Sequence, residues 1–235
     1  MTVTRRVGAL QWPGITQQLD SDGYALLSPL LSAEECEDLY SLYVDDRLFR
    51  STIDMSRYNF GRGEYRYFRY PLPGIVSALR EALYPPLAEI ANDWAKHLRI
   101  ETRWPDTLGS FTKECHECGQ TRPTPLLLRY GVDDYNCLHQ DLYGELHFPL
   151  QAVLMLSDPD RDFTGGEFVL VEQRPRMQSR PIVLNLARGG GAIFPVRERP
   201  RPGSRGYHRT RMRHGVSLVR SGNRMTLGII FHDAS

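Results

Sequence analysis

The sequence predicts an α+β fold: helices come first, and a strand-rich half then closes into a sandwich or barrel. Two observations predict it. From Pro125 onward the chain breaks into short apolar runs divided by Gly, Pro, Asp and Asn, the pattern of closely spaced strands. Before that point the apolar segments show helical periodicity and a helix-start signal. The 235 residues are 41% hydrophobic and 24% charged, which suits one domain with a real core. Residues 1–124 are its helix-rich part and 125–235 its strand-rich part.

Each element follows from local chemistry. "DGYALLSPLLSAEECEDLYSLY" reads as a short strand, a turn and a helix. Ser32 with Glu35 three residues later fits a capping box, and Leu39, Leu42 and Tyr43 give one apolar face. "GIVSALREALYPPLAEIANDWAKHL" is a second helical stretch. Pro85 and Pro86 each remove a backbone donor, so two helical pieces are expected there. "YNFGRGEYRYFRYPLPG" between these helices reads as a loop or short irregular hairpin. The strands follow as "PLLLRYG", "FPLQAVLMLS", "GEFVLVEQ", "RPIVLNLA", "GGAIFPV", "RMRHGVSLVRSG" and "RMTLGIIFH". Gly165-Gly166 in "DFTGGEF" is a hairpin signal, "RSGN" at 220–223 a turn, and "RERPRPGSRGYHR" a loop.

Composition excludes some classes. No apolar run approaches the roughly 20 residues that cross a bilayer. The N-terminus has no apolar signal region, so a cytoplasmic location without membrane contact is expected, with Cys36, Cys115, Cys118 and Cys137 as thiols. The net charge of +1 points to no partner. Its distribution says more: Lys96 and Lys113 are the only lysines, and between Arg188 and Arg224 Glu198 is the only acid among many arginines. Arginine suits planar recognition of carboxylate or phosphate, although a GC-rich genome produces the same bias.

The chemistry-bearing pattern begins at "NCLHQDLYGELHFPL". His139 and Asp141 are two residues apart, so from a strand or its end they project to one side. A two-histidine, one-carboxylate set needs another histidine from a distant strand. His214 fits best, at the start of the strand-like "RMRHGVSLV"; His97, His116, His147, His208 and His232 are the others. Three ligands on one face leave coordination positions open, whereas a structural zinc site takes a fourth ligand. Arg224 lies ten residues beyond His214, with Thr226 facing the same way. A buried arginine with a nearby hydroxyl holds a carboxylate through charge-assisted bonds. 2-Oxoglutarate offers such a carboxylate, and its keto-acid end chelates iron.

With these residues in place the sequence resembles the Fe(II)/2-oxoglutarate dioxygenases. That resemblance implies a double-stranded β-helix, a jelly-roll core with the N-terminal helices packed on one sheet, and Fe(II), 2-oxoglutarate and O2 as cofactor and cosubstrates. "LLLRYGVDDYNCLHQD" is similar to the opening strand of the prolyl-4-hydroxylase-like branch. In that branch a tyrosine nine residues before the first metal histidine helps hold 2-oxoglutarate, and Tyr130 stands there. "FTGGEFVL" resembles the branch's Gly-Gly-Glu hairpin, and "GYALLSPLLSAEEC" its N-terminal opening. "LHQDLYGELHFPLQ", "DFTGGEFVLVEQRPRMQSR", "MRHGVSLVRSGNRMTLGIIFHDA" and "GRGEYRYFRYPLP" more closely resemble a prokaryotic oxygenase family described as acting on alkylated DNA. This likeness runs from about Asp22 to the end. It implies His139, Asp141 and His214 as iron ligands and Arg224 as the 2-oxoglutarate anchor. One departure is "RGGGAIF", where an acid is expected at Gly190 or Gly191.

For the substrate, nucleic acid comes first, with oxidative demethylation of an alkylated base, hence DNA repair, as the reaction. "RERPRPGSRGYHRTRMR" and "GRGEYRYFRY" interleave arginine with aromatics; arginines would track phosphates while Tyr58, Tyr65, Tyr67 or Phe68 stacks on a base. Solvated loops and core tyrosines are the bland reading of the same residues. AlkB-type demethylases carry a second arginine six residues after the 2-oxoglutarate arginine, where this chain has Ile230. A protein or peptide hydroxylase is therefore the runner-up and a small-molecule hydroxylase third. A degenerate jelly roll that only binds a ligand is the non-enzyme alternative, although all three metal positions hold competent residues. "CHEC", Cys115 to Cys118, lacks a second pair for zinc. Cys137 reads as a small buried filler, His147 as structural, and His232 with Asp233 as no second site.

Overall fold

The computed structural model describes residues 1–235 except 175, 176 and 205. Arg205 of the arginine-rich stretch therefore lies outside the described residues. Among those described, the helices are α1 (Val3–Gly8), α2 (Trp12–Ser21), α3 (Ala33–Ser41), α4 (Gly74–Leu98) and α5 (Leu108–Glu117). The strands are β1 (Ala25–Leu27), β2 (Phe49–Asp54), β3 (Gly61–Arg62), β4 (Glu64–Phe68), β5 (Leu126–Tyr130), β6 (Tyr135–His139), β7 (Leu150–Met155), β8 (Phe163–Gly165), β9 (Phe168–Gln173), β10 (Arg180–Leu184), β11 (Gly191–Pro195), β12 (Glu198–Gly203), β13 (Gly206–Val216), β14 (Val219–Gly222) and β15 (Arg224–Ile229).

The strands form a jelly-roll sandwich. The major sheet runs β1-β11-β7-β15-β5-β4-β2; the minor sheet runs β10-β9-β13-β6-β3, with β12 paired to β13. Alternation along each strand sorts side chains between two cores. Leu150, Ala152 and Leu154 of β7 and Met225, Leu227 and Ile229 of β15 pack with α4 residues such as Leu83, Leu87 and Trp94 on the helix side. Val153 and Met155 face inward and meet Phe168, Leu170 and Met212 of the minor sheet. Both faces of β7 are covered, so its apolar run is unbroken.

The capping box forms as its spacing predicts: Ser32 accepts from the Glu35 backbone N–H, and the Ser32 N–H donates back to the Glu35 carboxylate. Four other expectations need correction. α4 is a single helix through Pro85 and Pro86. Pro85 is exposed, so water reaches the carbonyl that its missing N–H leaves free, while the opposite face stays packed on the sheet. "GRGEYRYF" is neither a loop nor a hairpin closed on itself: β3 joins the minor sheet, and β4 pairs with β5 and β2 in the major one. Gly165-Gly166 turns no hairpin. β8 pairs with β14, and β9 with β10 and β13; the two glycines, at φ 71° and 62°, form a corner between sheets. Finally, the described residues of "RERPRPGSRGYHR" form a two-stranded ribbon, in register from Glu198↔Arg211 to Gly203↔Gly206. Its extension of β13 puts His214 near that strand's end rather than its start.

Candidate metal centre

β6 ends on His139, and the residue facing it across the ladder on β13 is His214. Asp141 lies just past the end of β6 and turns its carboxylate between the two rings. Asp141 Oδ2 is 3.0 Å from His214 Nε2, and Oδ1 is 3.5 Å from His139 Nε2. The imidazole centroids are 4.2 Å apart. One ligand atom from each residue lies within 4.8 Å of the others, and among the described residues this is the group of three or more His, Cys, Asp or Glu with that convergence. His139 Nδ1 donates to the Cys137 carbonyl at 2.7 Å, which leaves Nε2 as the ring nitrogen that could ligate a metal.

Burial and charge set the protonation states. Burial pushes the Asp141 carboxyl up, but the charge of His214 and hydrogen bonds from both imidazoles outweigh it and hold the acid well below the usual carboxylate range. Burial lowers His139, and the Asp141 carboxylate more than restores it. His214 ends below its ordinary value, through burial and then the charge of His139. A carboxylate beside two imidazoles is a donor set that suits a divalent cation, whose binding displaces the ring protons.

The anion side is equally defined. Arg224 opens β15 directly opposite Tyr130 of β5. It is 1% exposed, and its Nε, Nη1 and Nη2 have no hydrogen-bond partner among the described residues. Its guanidinium lies 5.4 Å from the Tyr130 ring centre and 6.0 Å from that of Phe163. Burial lowers its pKa to about 10, so it remains a cation at neutral pH. A buried charge without a partner costs several kcal/mol, and a carboxylate beside it removes that cost. Thr226 follows on the same face, and the Tyr130 hydroxyl accepts from Asn136 Nδ2 at 3.2 Å. His139, Asp141, His214, Arg224, Thr226 and Tyr130 all line one cavity of about 270 Å³. The residues thus fit both groups that the sequence implies: a three-atom metal set and an unpaired cation for a carboxylate.

Other sequence expectations fare differently. Phe68 is fully buried and Tyr67 nearly so, so neither is free to stack on a base; Tyr65 lines the cavity. Tyr58 is exposed and stacks on exposed Phe60, centroids 5.7 Å apart. Cys137 is exposed, not a buried filler, because the ladder is irregular between His214 and Val216. Cys115 is buried and Cys118 exposed. Asp233 accepts from Arg80, Tyr70 and His116 and ties the C-terminus to α4 and α5. At the departure from the family pattern, a Cβ on Gly191 would lie 1.9 Å from the Val153 carbonyl and one on Gly190 2.9 Å from that of Leu27. Backbone packing leaves no room for an acid there.

Sequence reasoning missed Phe60, Tyr143 and Gln151, which line the same cavity. Gln151 carried a signal, since it is the one polar side chain inside the apolar run "FPLQAVLML". It is 3% exposed, and its Nε2 has no partner among the described residues.

A jelly roll that converges two imidazoles and a carboxylate beside a buried arginine defines a protein of the non-haem oxygenase type. Residues 63–234 match the model of a family described as oxygenases catalysing oxidative methylation of damaged DNA, and the chain belongs to that family. An uncharacterised protein of Mycobacterium tuberculosis, found in strains CDC 1551 / Oshkosh and ATCC 25618 / H37Rv, is 53% identical over 168 residues, covering 72% of this chain and 72% of the relative. Among solved structures, a prolyl-4-hydroxylase of Pseudomonas putida superposes with TM-score 0.56 at 12% identity, over 96% of this chain and all (100%) of the other. A Burkholderia pseudomallei oxidoreductase of the 2OG-Fe(II) oxygenase family gives 0.54 at 16% identity, over 97% and 93%. A Trichoplax adhaerens prolyl hydroxylase, solved with a hypoxia inducible factor peptide fragment, gives 0.52 at 13%, over 98% and 92%. These three establish the shared double-stranded β-helix fold. No helix among the described residues is long and apolar enough to cross a membrane.

Proposed function

We propose that this oxygenase uses Fe(II) and 2-oxoglutarate to hydroxylate a C–H bond on alkylated nucleic acid. The observation that carries the proposal is the placement of the unpartnered Arg224 guanidinium in the cavity that also holds His139, Asp141 and His214. Those three residues would hold Fe(II), which with dioxygen and 2-oxoglutarate supplies the oxidising power that converts C–H to C–OH as 2-oxoglutarate leaves as succinate and CO2. Arg224 binds the distal carboxylate, Thr226 and Tyr130 flank it, and the apolar cavity wall keeps water away. When the hydroxylated carbon is an N-methyl group, the product sheds formaldehyde, which amounts to demethylation.

Nucleic acid is favoured by the family description and by the surface. Phe60 lines the cavity with an exposed ring, and exposed Tyr58 stacks on it, a platform on which a base drawn out of its stack would rest. Arg209, Arg211 and Arg213 alternate outward along β13, suited to backbone phosphates. Such a substrate fits a cytoplasmic location, which cell fractionation checks. Ile230 in the cavity wall, where AlkB-type demethylases have a second arginine, favours a peptide substrate as the second reading. The test is succinate and formaldehyde formation with N-methylated single-stranded oligonucleotides against proline-containing peptides. Formaldehyde release with the oligonucleotide alone is the expected result. Succinate formation stimulated only by peptide overturns the nucleic-acid reading.

A further inference from the structure

We infer that Tyr143 is a positioning residue that sets which oxygen of Asp141 faces the metal, an inference that rests on the metal site proposed above. A carboxylate has two equivalent oxygens and a soft terminal torsion. Left to itself, Asp141 could turn either oxygen inward, or both. The Tyr143 hydroxyl donates to Asp141 Oδ1 at 2.7 Å, while Oδ2 stays beside His214 Nε2 at 3.0 Å. Oδ1, 3.5 Å from His139 Nε2, is thus engaged by the Tyr143 hydroxyl, and Oδ2, the oxygen nearer an imidazole of the set, is left for the metal.

Tyr143 is itself held on two sides. Its ring meets Tyr67 edge-on, centroids 6.0 Å apart at 84°, and Tyr67 meets Tyr65 the same way at 5.4 Å. Its backbone belongs to an arm bracketed by one buried carboxamide. Gln120, 1% exposed, donates to the carbonyls of Leu146 at 2.9 Å and Asp233 at 2.6 Å, and accepts from the Leu146 N–H at 2.8 Å. Gly144 makes this close approach possible: at φ +118°, a Cβ there would sit 2.5 Å from Gln120 Cδ. The chain from Gln120 through Gly144 and Tyr143 to Asp141 is continuous and contains no metal ligand until its last member. Partners of this kind typically change metal affinity 10- to 100-fold.

The test uses the full chain and Co(II) alone, titrated anaerobically and followed by visible absorption. Tyr143→Phe removes one oxygen atom and keeps the ring packing. The expected result is Co(II) affinity lower by about 10- to 100-fold, with shifted d–d bands and an unchanged far-UV circular dichroism spectrum and apo melting temperature. Gly144→Ala keeps the hydroxyl but forces the arm off Gln120, and it should weaken Co(II) in the same way. Asp141→Ala separates the two levels of the argument. If it abolishes Co(II) binding while both Tyr143→Phe and Gly144→Ala bind like wild type with unshifted bands, the positioning role is wrong and the metal site stands. If Asp141→Ala itself binds Co(II) like wild type, the metal site is wrong.

Discussion

Replacing Arg224 by Met should separate ligand binding from fold stability in opposite directions. The guanidinium is 1% exposed and none of its three nitrogens has a partner among the described residues, so the ligand-free protein carries an unsatisfied buried charge. Removing that charge relieves at least about 3 kcal/mol, since an unpaired buried charge costs several kcal/mol. It also loses the contacts with the Tyr130 and Phe163 rings, at 5.4 and 6.0 Å, which contribute about 0.5–2 kcal/mol. The apo variant should therefore be more stable than wild type, by at least about 1 kcal/mol. Binding moves the other way. Two charge-assisted hydrogen bonds to a carboxylate contribute about 1.5–3 kcal/mol each. Their loss, at about 1.4 kcal/mol per tenfold, weakens 2-oxoglutarate by about a hundredfold or more. Urea melts of the apo proteins measure the first effect, and anaerobic calorimetry with 2-oxoglutarate the second. In wild type, 2-oxoglutarate at a hundred times its Kd should add about 2.7 kcal/mol of stability; the variant should gain almost none at that concentration. A variant that binds 2-oxoglutarate within threefold of wild type, or whose apo form loses more than about 2 kcal/mol, would refute the reasoning.

Three further outcomes follow from particular contacts. Gly166→Ala places a Cβ 2.8 Å from Arg224 Cδ at φ +62°; it should cost about 1–3 kcal/mol of stability and weaken 2-oxoglutarate while leaving Co(II) affinity unchanged, which paired titrations check. Glu172 is fully buried and accepts from Arg199 at 2.7 Å, Arg174 at 2.5 Å and also Arg201. Burial raises its carboxyl, but the three guanidiniums outweigh this and leave it below the usual range. Its stabilisation is then full above the unfolded carboxylate pKa of about 4.3 and drains away as pH falls below it. Glu172→Gln should therefore cost about 3–5 kcal/mol at pH 7 and progressively less below pH ~4, measured by urea melts across pH. Phe60→Ala should raise KM for a methylated single-stranded oligonucleotide by about tenfold, from the 1–3 kcal/mol of one base–aromatic stack, while succinate formation without substrate stays unchanged.

The site was legible in the sequence because it obeys short-range rules. His139 and Asp141 share a side through a spacing of two, as do Arg224 and Thr226, and the jelly-roll crossings between the two sheets bring β13 back beside β6 so that His214 faces His139. What stayed hidden depends on long-range packing. Pro85 and Pro86 look like helix breakers until the sheet beneath α4 shows which face is wet. The arginine-rich stretch looks like a loop because its charges alternate on an exposed ribbon edge, while Arg199 and Thr210, paired across it, are buried. Gly165-Gly166 reads as a hairpin wherever the next two strands are assumed to pair. Tyr143 gave no signal, since its role arises only where Gln120 and Asp233, distant in sequence, close on its arm.

The most direct measurement loads the full chain with Fe(II) under anaerobic conditions, adds 2-oxoglutarate and records the visible spectrum. The account expects a single bound Fe(II) and a new visible absorption on addition of 2-oxoglutarate, with both lost in Asp141→Ala and the second lost in Arg224→Met. A wild-type protein that takes up no Fe(II), or an Asp141→Ala variant that retains the absorption, would contradict it.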